Sequence, residues 1–326
     1  MFTGYFYNAK FLEKNNTINI LSFNTLMAFP DKALSEGNKL NTTFDNEKIT
    51  TIEFKKILDF LYKNNYILVD ILELVNHYQT TSNFYIKSLP QNKKPIVLSF
   101  ENVTYKSNYQ NHGEVDKIII DRNNKLATYT TKKSIQDRIQ YDNEFLVILE
   151  NFIETHPDFS YNNARGILFF SGENGVLGYN TNHKNASSKY EIERASTVIS
   201  HLRKLGWTFG CNSYTYNSDR TKSQLEFKKE LQLWKKEISP LISSTPIYSF
   251  PKGELDEDKL TELADNGFNI LLHNDVNSSI ETIGNQILIS KKPVNGQTLR
   301  NNKKELLQFF DCESVYDKVN RTVPYN

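Results

Sequence analysis

Short apolar runs recur along this chain, and each is followed by a cluster of polar residues. Apolar runs without alternation are typical of strands that are covered on both faces, as in a parallel sheet. The pattern therefore predicts parallel strands that each end among polar side chains. Seven segments share this design: 18–25 (INILSFNT), 66–71 (YILVDI), 94–105 (KPIVLSFENVTY), 164–175 (ARGILFFSGENG), 206–214 (GWTFGCNSY), 245–253 (TPIYSFPKG) and 268–277 (FNILLHNDVN).

Helical patterns separate these segments. Thr50 and Glu53 fit a capping box at the start of a helix with an apolar face, and Ser188 and Glu191 fit a second one. Gly206 is at the position expected for the end of that second helix. Strand and helix therefore alternate, which predicts an α/β fold, and seven or eight βα units favour a barrel whose polar strand ends form the site. Further helices are predicted at about 142–155, 224–238 and 256–266.

One segment, 106–141, interrupts the alternation. Two strand-like runs flank the polar turn DRNN at 121–124, which predicts a β-hairpin inserted after the third strand. We expect this hairpin at the rim of the site. Residues 1–17 are expected to be an N-terminal extension, and 18–326 a single barrel domain.

Composition and charge narrow the function classes. The 326 residues include 39 Lys and Arg against 38 Asp and Glu, a net charge of +1, so we expect no nucleic-acid partner. No apolar run approaches the roughly 18 residues of a membrane span, and the first twenty residues lack the pattern of a secretion signal. A processed chain would look the same, so both a cell-surface and a cytoplasmic location stay open.

Four stretches carry a resemblance to a known family: TTIEFKKILDFLYKNNYILVDI, KKPIVLSFENVTYK, FIETHPDFSYNNARGILFFSGENGVLGYNTN and VISHLRKLGWTFGCNSYTYNS. In these stretches the chain resembles the polysaccharide deacetylases with a NodB-type domain, particularly the Gram-positive branch with an inserted hairpin. The resemblance implies a distorted (β/α)7-8 barrel of the polysaccharide deacetylase type. It also implies descent from metal-dependent hydrolases that remove acetyl groups from carbohydrates.

The residues that carry the chemistry of that family differ here. In the family, the third strand ends in two aspartates, a general base and a metal ligand, and a later strand ends in a His-x-x-x-His pair. The matching positions are Glu101, Asn102, Asn212 and Tyr216. Amide oxygens are neutral, and a phenol with a pKa near 10 is a poor zinc ligand. We therefore expect no metal cofactor, although the family uses a divalent ion such as zinc, and we interpret Glu101 as a remnant base.

The polar strand ends, together with the family resemblance, give the other candidate site residues. Tyrosines have an apolar face with a hydroxyl group, which suits a sugar ring. His273 in ILLHND resembles a family motif that supplies a general acid, but its position along the chain fits that motif poorly. The expected carbohydrate-binding residues are Asn102, Tyr105, Asn212, Tyr214 and Tyr216, with the alternative that the asparagines only satisfy backbone groups in loops.

The leading interpretation is a deacetylase-like protein without the family's catalysis, which binds a carbohydrate or acts as a scaffold. One alternative is an active hydrolase that removes acetyl groups from a cell-wall or surface glycan by means of Glu101, with or without His273. A third hypothesis is a protein-binding module that uses the inserted hairpin.

Overall fold

The computed structural model describes residues 18–81, 86, 88–105, 109–131, 134–182, 188–275 and 279–325, so the extension expected at 1–17 lies outside the described residues. The strands within these ranges are β1 (Ile20–Phe23), β2 (Tyr66–Leu68), β3 (Lys94–Phe100), β4 (Lys117–Ile120), β5 (Leu126–Tyr129), β6 (Ile139–Gln140), β7 (Ile167–Phe170), β8 (Thr208–Cys211), β9 (Ile247–Ser249), β10 (Ile270–Asn274), β11 (Ile280–Ile283) and β12 (Gln286–Pro293).

Seven of these strands form a closed parallel barrel. Around the ring the order is β1, β12, β10, β9, β8, β7 and β3, and β3 pairs again with β1. β2 pairs with the first half of β3 outside this ring, and β11 runs antiparallel along β12. The α/β barrel predicted from the alternation of strand and helix is confirmed.

Helices follow most of the barrel strands. Thr50 and Glu53 form the predicted capping box of the third helix, and Gly206, with φ of +102°, ends the sixth. No described helix is both long and apolar enough to cross a membrane. The helices are α1 (Pro30–Ala33), α2 (Asn41–Glu47), α3 (Thr51–Lys63), α4 (Ile71–Thr81), α5 (Phe145–Thr155), α6 (Ser188–Leu205), α7 (Gln224–Glu237), α8 (Ser239–Ile242), α9 (Leu260–Asp265), α10 (Gly296–Asn301), α11 (Lys303–Leu306) and α12 (Cys312–Val315).

Side chains along the barrel strands alternate between two apolar layers. One layer packs against the helices and includes Leu98 and Leu168 together with Phe54 of α3 and Trp234 of α7. The other layer fills the inside of the barrel, because neighbouring residues on a strand point to opposite faces. Its strand members are Ile20, Val97, Ile167, Phe169, Ile247, Ile270, Leu272, Ile287 and Ile289.

The inward-facing rows change from apolar to polar as each strand approaches its carboxyl end. Beyond the apolar members of the inner layer, the same rows continue with polar side chains. Glu101 contacts Ser249 and Lys291, which belong to strands that are not neighbours of β3, so these side chains meet inside the barrel. The polar members are Ser22, Ser99, Glu101, Ser171, Asn212, Ser249, Asn274 and Lys291.

The strand β12 was not predicted from the sequence. Its apolar run covers only Ile287–Ile289, and Lys291, Lys292 and Pro293 follow at once, so the segment lacks the length of the other apolar runs. The structure nevertheless inserts β12 between β1 and β10, where it closes the barrel. The missed strand matters because it carries Lys291 into the polar end of the barrel.

The inserted segment forms a small antiparallel sheet. β4 pairs with β5 across a turn at 121–125, and β6 adds a third strand. Lys117 on β4 forms an ion pair of 3.0 Å with Glu191, which joins this sheet to α6. Residues that precede the sheet, among them Tyr109 and Glu114, line the cavity described below, so the lead-in to the hairpin reaches the site.

A buried arginine fixes the C-terminal segment to the barrel. Arg321 donates two hydrogen bonds, of 2.7 and 2.8 Å, to the two carboxylate oxygens of Glu53, and one of 2.9 Å to Asp45. It also donates to the carbonyl of Lys48 at 2.8 Å. Bidentate charge-assisted bonds are among the stronger polar contacts in proteins. This contact positions the backbone of Lys48, whose side chain lies in the site.

Replacing this arginine tests its structural role. We expect Arg321→Ala to lower the free energy of unfolding by about 3–5 kcal/mol, because Glu53 would stay buried without its charged partner and Asp45 would keep only Arg300. The control is Lys318→Ala, since Lys318 and its partner Glu313 are 57% and 61% exposed, and we expect a change of less than about 0.5 kcal/mol. Denaturant unfolding measures both, and equal effects would contradict this assignment.

Candidate functional site

The carboxyl ends of the barrel strands surround a cavity of about 460 Å³. In parallel barrels this end is where sites are built, because the loops after all strands converge there. The walls come from the ends of β1, β3, β10 and β12 and from loops that contain Lys48, Tyr109, Tyr216 and Lys252. The cavity is thus the place where the polar strand ends of the sequence meet.

A buried ion pair lies in the wall of this cavity. Lys291 Nζ lies 2.5 Å from Glu101 Oε1 and 2.8 Å from Ser249 Oγ, and Ser249 Oγ lies 3.1 Å from both Glu101 oxygens. The side chains of Glu101 and Lys291 are only 6% and 2% exposed. Burial lowers the pKa of Lys291 from its ordinary value, and the Glu101 carboxylate opposes this shift. The two charges satisfy each other in a setting where either alone would be costly.

A chain of amide hydrogen bonds runs beside this ion pair. Asn102 lies in the left-handed region with φ of 49°, which asparagine tolerates better than most residues. Its backbone N–H donates to Asn212 Oδ1 at 3.0 Å, and its Oδ1 accepts from Ser171 Oγ at 2.7 Å. Asn212 in turn donates to the carbonyl of Ser249 at 2.8 Å. These bonds link the ends of β3, β7, β8 and β9 into one rigid floor.

A second buried ion pair lies in the wall of the same cavity. Lys48 Nζ lies 2.5 Å from Glu114 Oε1 and 2.6 Å from Thr25 Oγ1, and the Thr25 hydroxyl also donates to Glu114. The same ammonium lies 5.6 Å from the centre of the Tyr109 ring, within the range of a cation–π contact. Nothing in the sequence pattern around Lys48 or Glu114 indicated this pair, since its members are 66 positions apart.

Two tyrosines line the cavity in unusual backbone conformations. Tyr105 and Tyr216 have φ of 51° and 61°, a region that bulky residues rarely occupy and that is frequent at functional sites. Burial, followed by the charge of Glu101, raises the pKa of Tyr216 well above 10. Tyr216 therefore keeps its proton at neutral pH and can act as a hydrogen-bond donor.

The loop that carries Tyr216 is organised by one carboxylate. Glu230 on α7 accepts hydrogen bonds from the Ser213 hydroxyl at 2.8 Å, from the Thr215 hydroxyl at 2.8 Å and from the backbone N–H of Tyr214 at 3.2 Å. It also pairs with Lys222 at 2.9 Å. Burial opposes ionisation of Glu230, but the hydrogen bonds from Lys222, Thr215 and Ser213 outweigh it, and its pKa is lowered. The polar residues after β8 therefore form an ordered loop that Glu230 holds in place.

Some of the expected site residues line the cavity, and others do not. Glu101, Asn102, Tyr105 and Tyr216 line the cavity, whereas Asn212 is fully buried beneath Asn102. The hydroxyl of Tyr214 donates to Glu237 on α7 at 2.7 Å, away from the cavity wall.

His273 does not line the cavity, but its neighbour Asn274 does. Successive side chains of a strand point to opposite faces, and Asn274 is the inward-facing one on β10. Gly253 leaves room for it, because a Cβ there would lie 1.9 Å from the Asn274 side chain. Asn274 donates to the carbonyl of Lys252 at 3.1 Å, and within the described residues its Oδ1 has no hydrogen-bond partner.

The side chains at the positions that the resemblance assigns to metal ligands are not suited to bind a metal ion. Asn102 Oδ1 and Asn212 Oδ1 already accept protein hydrogen bonds, and the Tyr216 phenol is neutral. Glu101 is the carboxylate at these positions, and the ammonium of Lys291 contacts it. In the ranges that the structure describes, no three His, Cys, Asp or Glu side chains form a group that could hold a metal ion.

Comparison with solved structures identifies the fold. One match is BA0330 from Bacillus anthracis, described as a candidate polysaccharide deacetylase, with 10% identity, a TM-score of 0.52 and coverage of 92% of this chain and 69% of that chain. Another is a de-N-acetylase from Aggregatibacter actinomycetemcomitans, with 11% identity, a TM-score of 0.51 and coverage of 90% and 99%. No protein-family model and no curated protein sequence matches the chain. The expected resemblance to polysaccharide deacetylases is confirmed for the fold.

Substituting the loop carboxylate tests how the loop is held. We expect Glu230→Gln to lower the free energy of unfolding by about 1–3 kcal/mol at pH 7, since a neutral amide loses the charge-assisted bonds. A lowered pKa means that this stabilisation is present above the ordinary glutamate value of 4.5 and is lost as the pH falls below it. The difference between variant and wild type should therefore shrink in acid.

Chemical denaturation at several pH values measures this difference. Glu257→Gln is the control, because Glu257 is exposed. A difference that is small at pH 7, or that grows as the pH falls, would contradict the assigned role of Glu230.

Proposed function

We propose that this chain, which has the fold of the polysaccharide deacetylases, binds a neutral carbohydrate in the barrel cavity and does not carry out metal-dependent deacetylation. The observation that carries the proposal is a polar cavity at the carboxyl end of the barrel in which four of the six charged side chains form two buried ion pairs. Fold alone does not set function, so the proposal depends on the groups in this cavity.

The size and surface of the cavity support a small hydroxyl-rich ligand. A volume of about 460 Å³ lies within the range of roughly 300–1,000 Å³ that is typical of small-molecule sites. Tyr105, Tyr109 and Tyr216 contribute aromatic rings to the walls. An aromatic face suits the C–H surface of a sugar ring, and the phenol adds a hydrogen-bonding group at its edge.

The charges of the cavity favour a ligand without net charge. Three lysines and three glutamates line it, so their formal charges cancel. Four of the six form the buried pairs Glu101–Lys291 and Lys48–Glu114. A charged ligand would have to compete with these short internal contacts, whereas neutral hydroxyl groups would not.

One oxygen atom in the cavity wall favours a ligand that donates a hydrogen bond. Asn274 Oδ1 is buried and has no hydrogen-bond partner within the described residues. A buried polar atom without a partner costs about 1–3 kcal/mol. Because Asn274 lines the cavity, a small side-chain movement would bring this oxygen to a sugar hydroxyl, which would recover part of that cost.

The loss of catalysis is inferred from donor chemistry. A metal-bound water needs several protein donors with free lone pairs around one point. Here the amide oxygens of Asn102 and Asn212 accept protein hydrogen bonds, and Glu101 is paired with Lys291. Glu101 is therefore held as one half of an ion pair, which is a poor arrangement for a general base.

Titration with chito-oligosaccharides tests the proposal. We expect the neutral, acetylated oligomer to bind and the deacetylated, cationic oligomer to bind at least about tenfold more weakly, a difference of about 1.4 kcal/mol. Tyr216→Phe should weaken binding of the acetylated oligomer roughly 5- to 30-fold, because it removes one hydrogen bond worth about 1–2 kcal/mol. Isothermal titration calorimetry measures each affinity.

Tyr190→Phe is the matched control, since Tyr190 is 56% exposed on α6, and it should leave the affinity unchanged. Binding that is absent, or that is equal for wild type and Tyr216→Phe, would contradict the proposed site. Release of acetate from the acetylated oligomer in the presence of zinc or cobalt would instead support the alternative of an active hydrolase.

A further inference from the structure

The ammonium group of Lys291 is a fixed positive charge inside the polar end of the barrel. It lies 2.5 Å from Glu101, and its side chain is 2% exposed. Asn102 and Asn212, two of the three residues at the positions that the resemblance assigns to metal ligands, are joined to it through a few hydrogen bonds. Ser249 accepts from Lys291 through its hydroxyl and from Asn212 through its carbonyl, and Asn212 accepts from the backbone of Asn102.

An ammonium group has three N–H donors. Two N–H groups of Lys291 donate hydrogen bonds to Glu101 Oε1 and Ser249 Oγ, at 2.5 and 2.8 Å. In the described part of the chain the third has no protein acceptor, and Lys291 lines the cavity. The same side chain therefore neutralises the nearby carboxylate and keeps one donor for an oxygen of a ligand.

We propose that Lys291 is the resident cation of this site and that it takes the place of a divalent metal. It supplies the positive charge that a carboxylate at this position requires, and it repels any second cation that approaches Glu101. The proposal rests on the proposed absence of a metal centre but not on the identity of the ligand. It assigns the proposed absence of metal binding to the side chain of Lys291 as well as to the residues at the metal-ligand positions.

Restored ligands, with and without the lysine, separate these two causes. One variant carries N102D, N212H and Y216H in the presence of Lys291, and a second carries the same three substitutions with K291M. Methionine has a similar length and no charge. If Lys291 excludes the metal, the second variant should bind Zn²⁺ at least about 100-fold more tightly than the first, since a neighbouring positive charge weakens binding of a cation.

Calorimetry with Zn²⁺ and the visible absorption of bound Co²⁺ measure this difference on the full chain. A ratio of about 100-fold or more in the expected direction supports the proposal, and a smaller ratio counts against it. Equal affinities in the two variants, or no metal binding by either, would overturn it, because the lysine would then not decide whether a metal binds. Glycan titration of the native chain is a separate readout, so failure of the carbohydrate proposal would be distinguishable from failure of this one.

A measurement on the native chain guards against variants that do not fold. In protein with ¹⁵N-labelled lysine, we expect one Nζ signal of a hydrogen-bonded ammonium that exchanges slowly with water at pH 7, is absent in K291R and shifts in E101Q. A neutral amine at Lys291 at pH 7 would overturn the proposal, because only the charged form can replace a cation.

Discussion

The buried contact between Glu101 and Lys291 is the constraint on which the rest of the site depends. A carboxylate with 6% of its surface exposed needs a partner of opposite charge, and Lys291 provides it at 2.5 Å. The lysine can reach the carboxylate because β12 closes the barrel beside β1, and β1 in turn pairs with β3, the strand that Glu101 directly follows. Ser249, which contacts both charges, satisfies further hydrogen-bonding capacity. The polar end of the barrel is therefore organised around an internal ion pair.

This arrangement gives the cavity a particular chemical character. Because Lys48 and Glu114 form a second internal pair in the cavity wall, four of its six charged side chains are already neutralised by internal contacts. The backbone of Lys48 is in turn held by Arg321, so the C-terminal segment supports the site from outside the barrel. Glu230 holds the loop of Tyr216 in the same way from α7. A preformed, electrically balanced cavity suits recognition of neutral hydroxyl groups better than stabilisation of a charged transition state.

Much of the fold was predictable from the sequence, since apolar runs and capping boxes are local signals. Thr50 and Glu53 mark the start of α3, and the strand that ends at Phe100 places Glu101 and Asn102 at the site. The period of two along a strand also explains why Asn274 and not His273 faces the cavity. The role of Lys291 in the site was not predicted, because Ile287–Ile289 is a short apolar run and the two lysines after it indicate a solvent-exposed loop. The Lys48–Glu114 pair joins distant segments, so no local pattern could indicate it.

A double-mutant cycle on Glu101 and Lys291 tests the central claim most directly. The free energy of unfolding would be measured for wild type, Glu101→Gln, Lys291→Met and the double variant. If the two side chains form a buried ion pair, each single substitution leaves an uncompensated charge, and the double variant should be more stable than the sum of the single effects by at least about 2 kcal/mol. Effects that add to within about 0.5 kcal/mol would contradict the account.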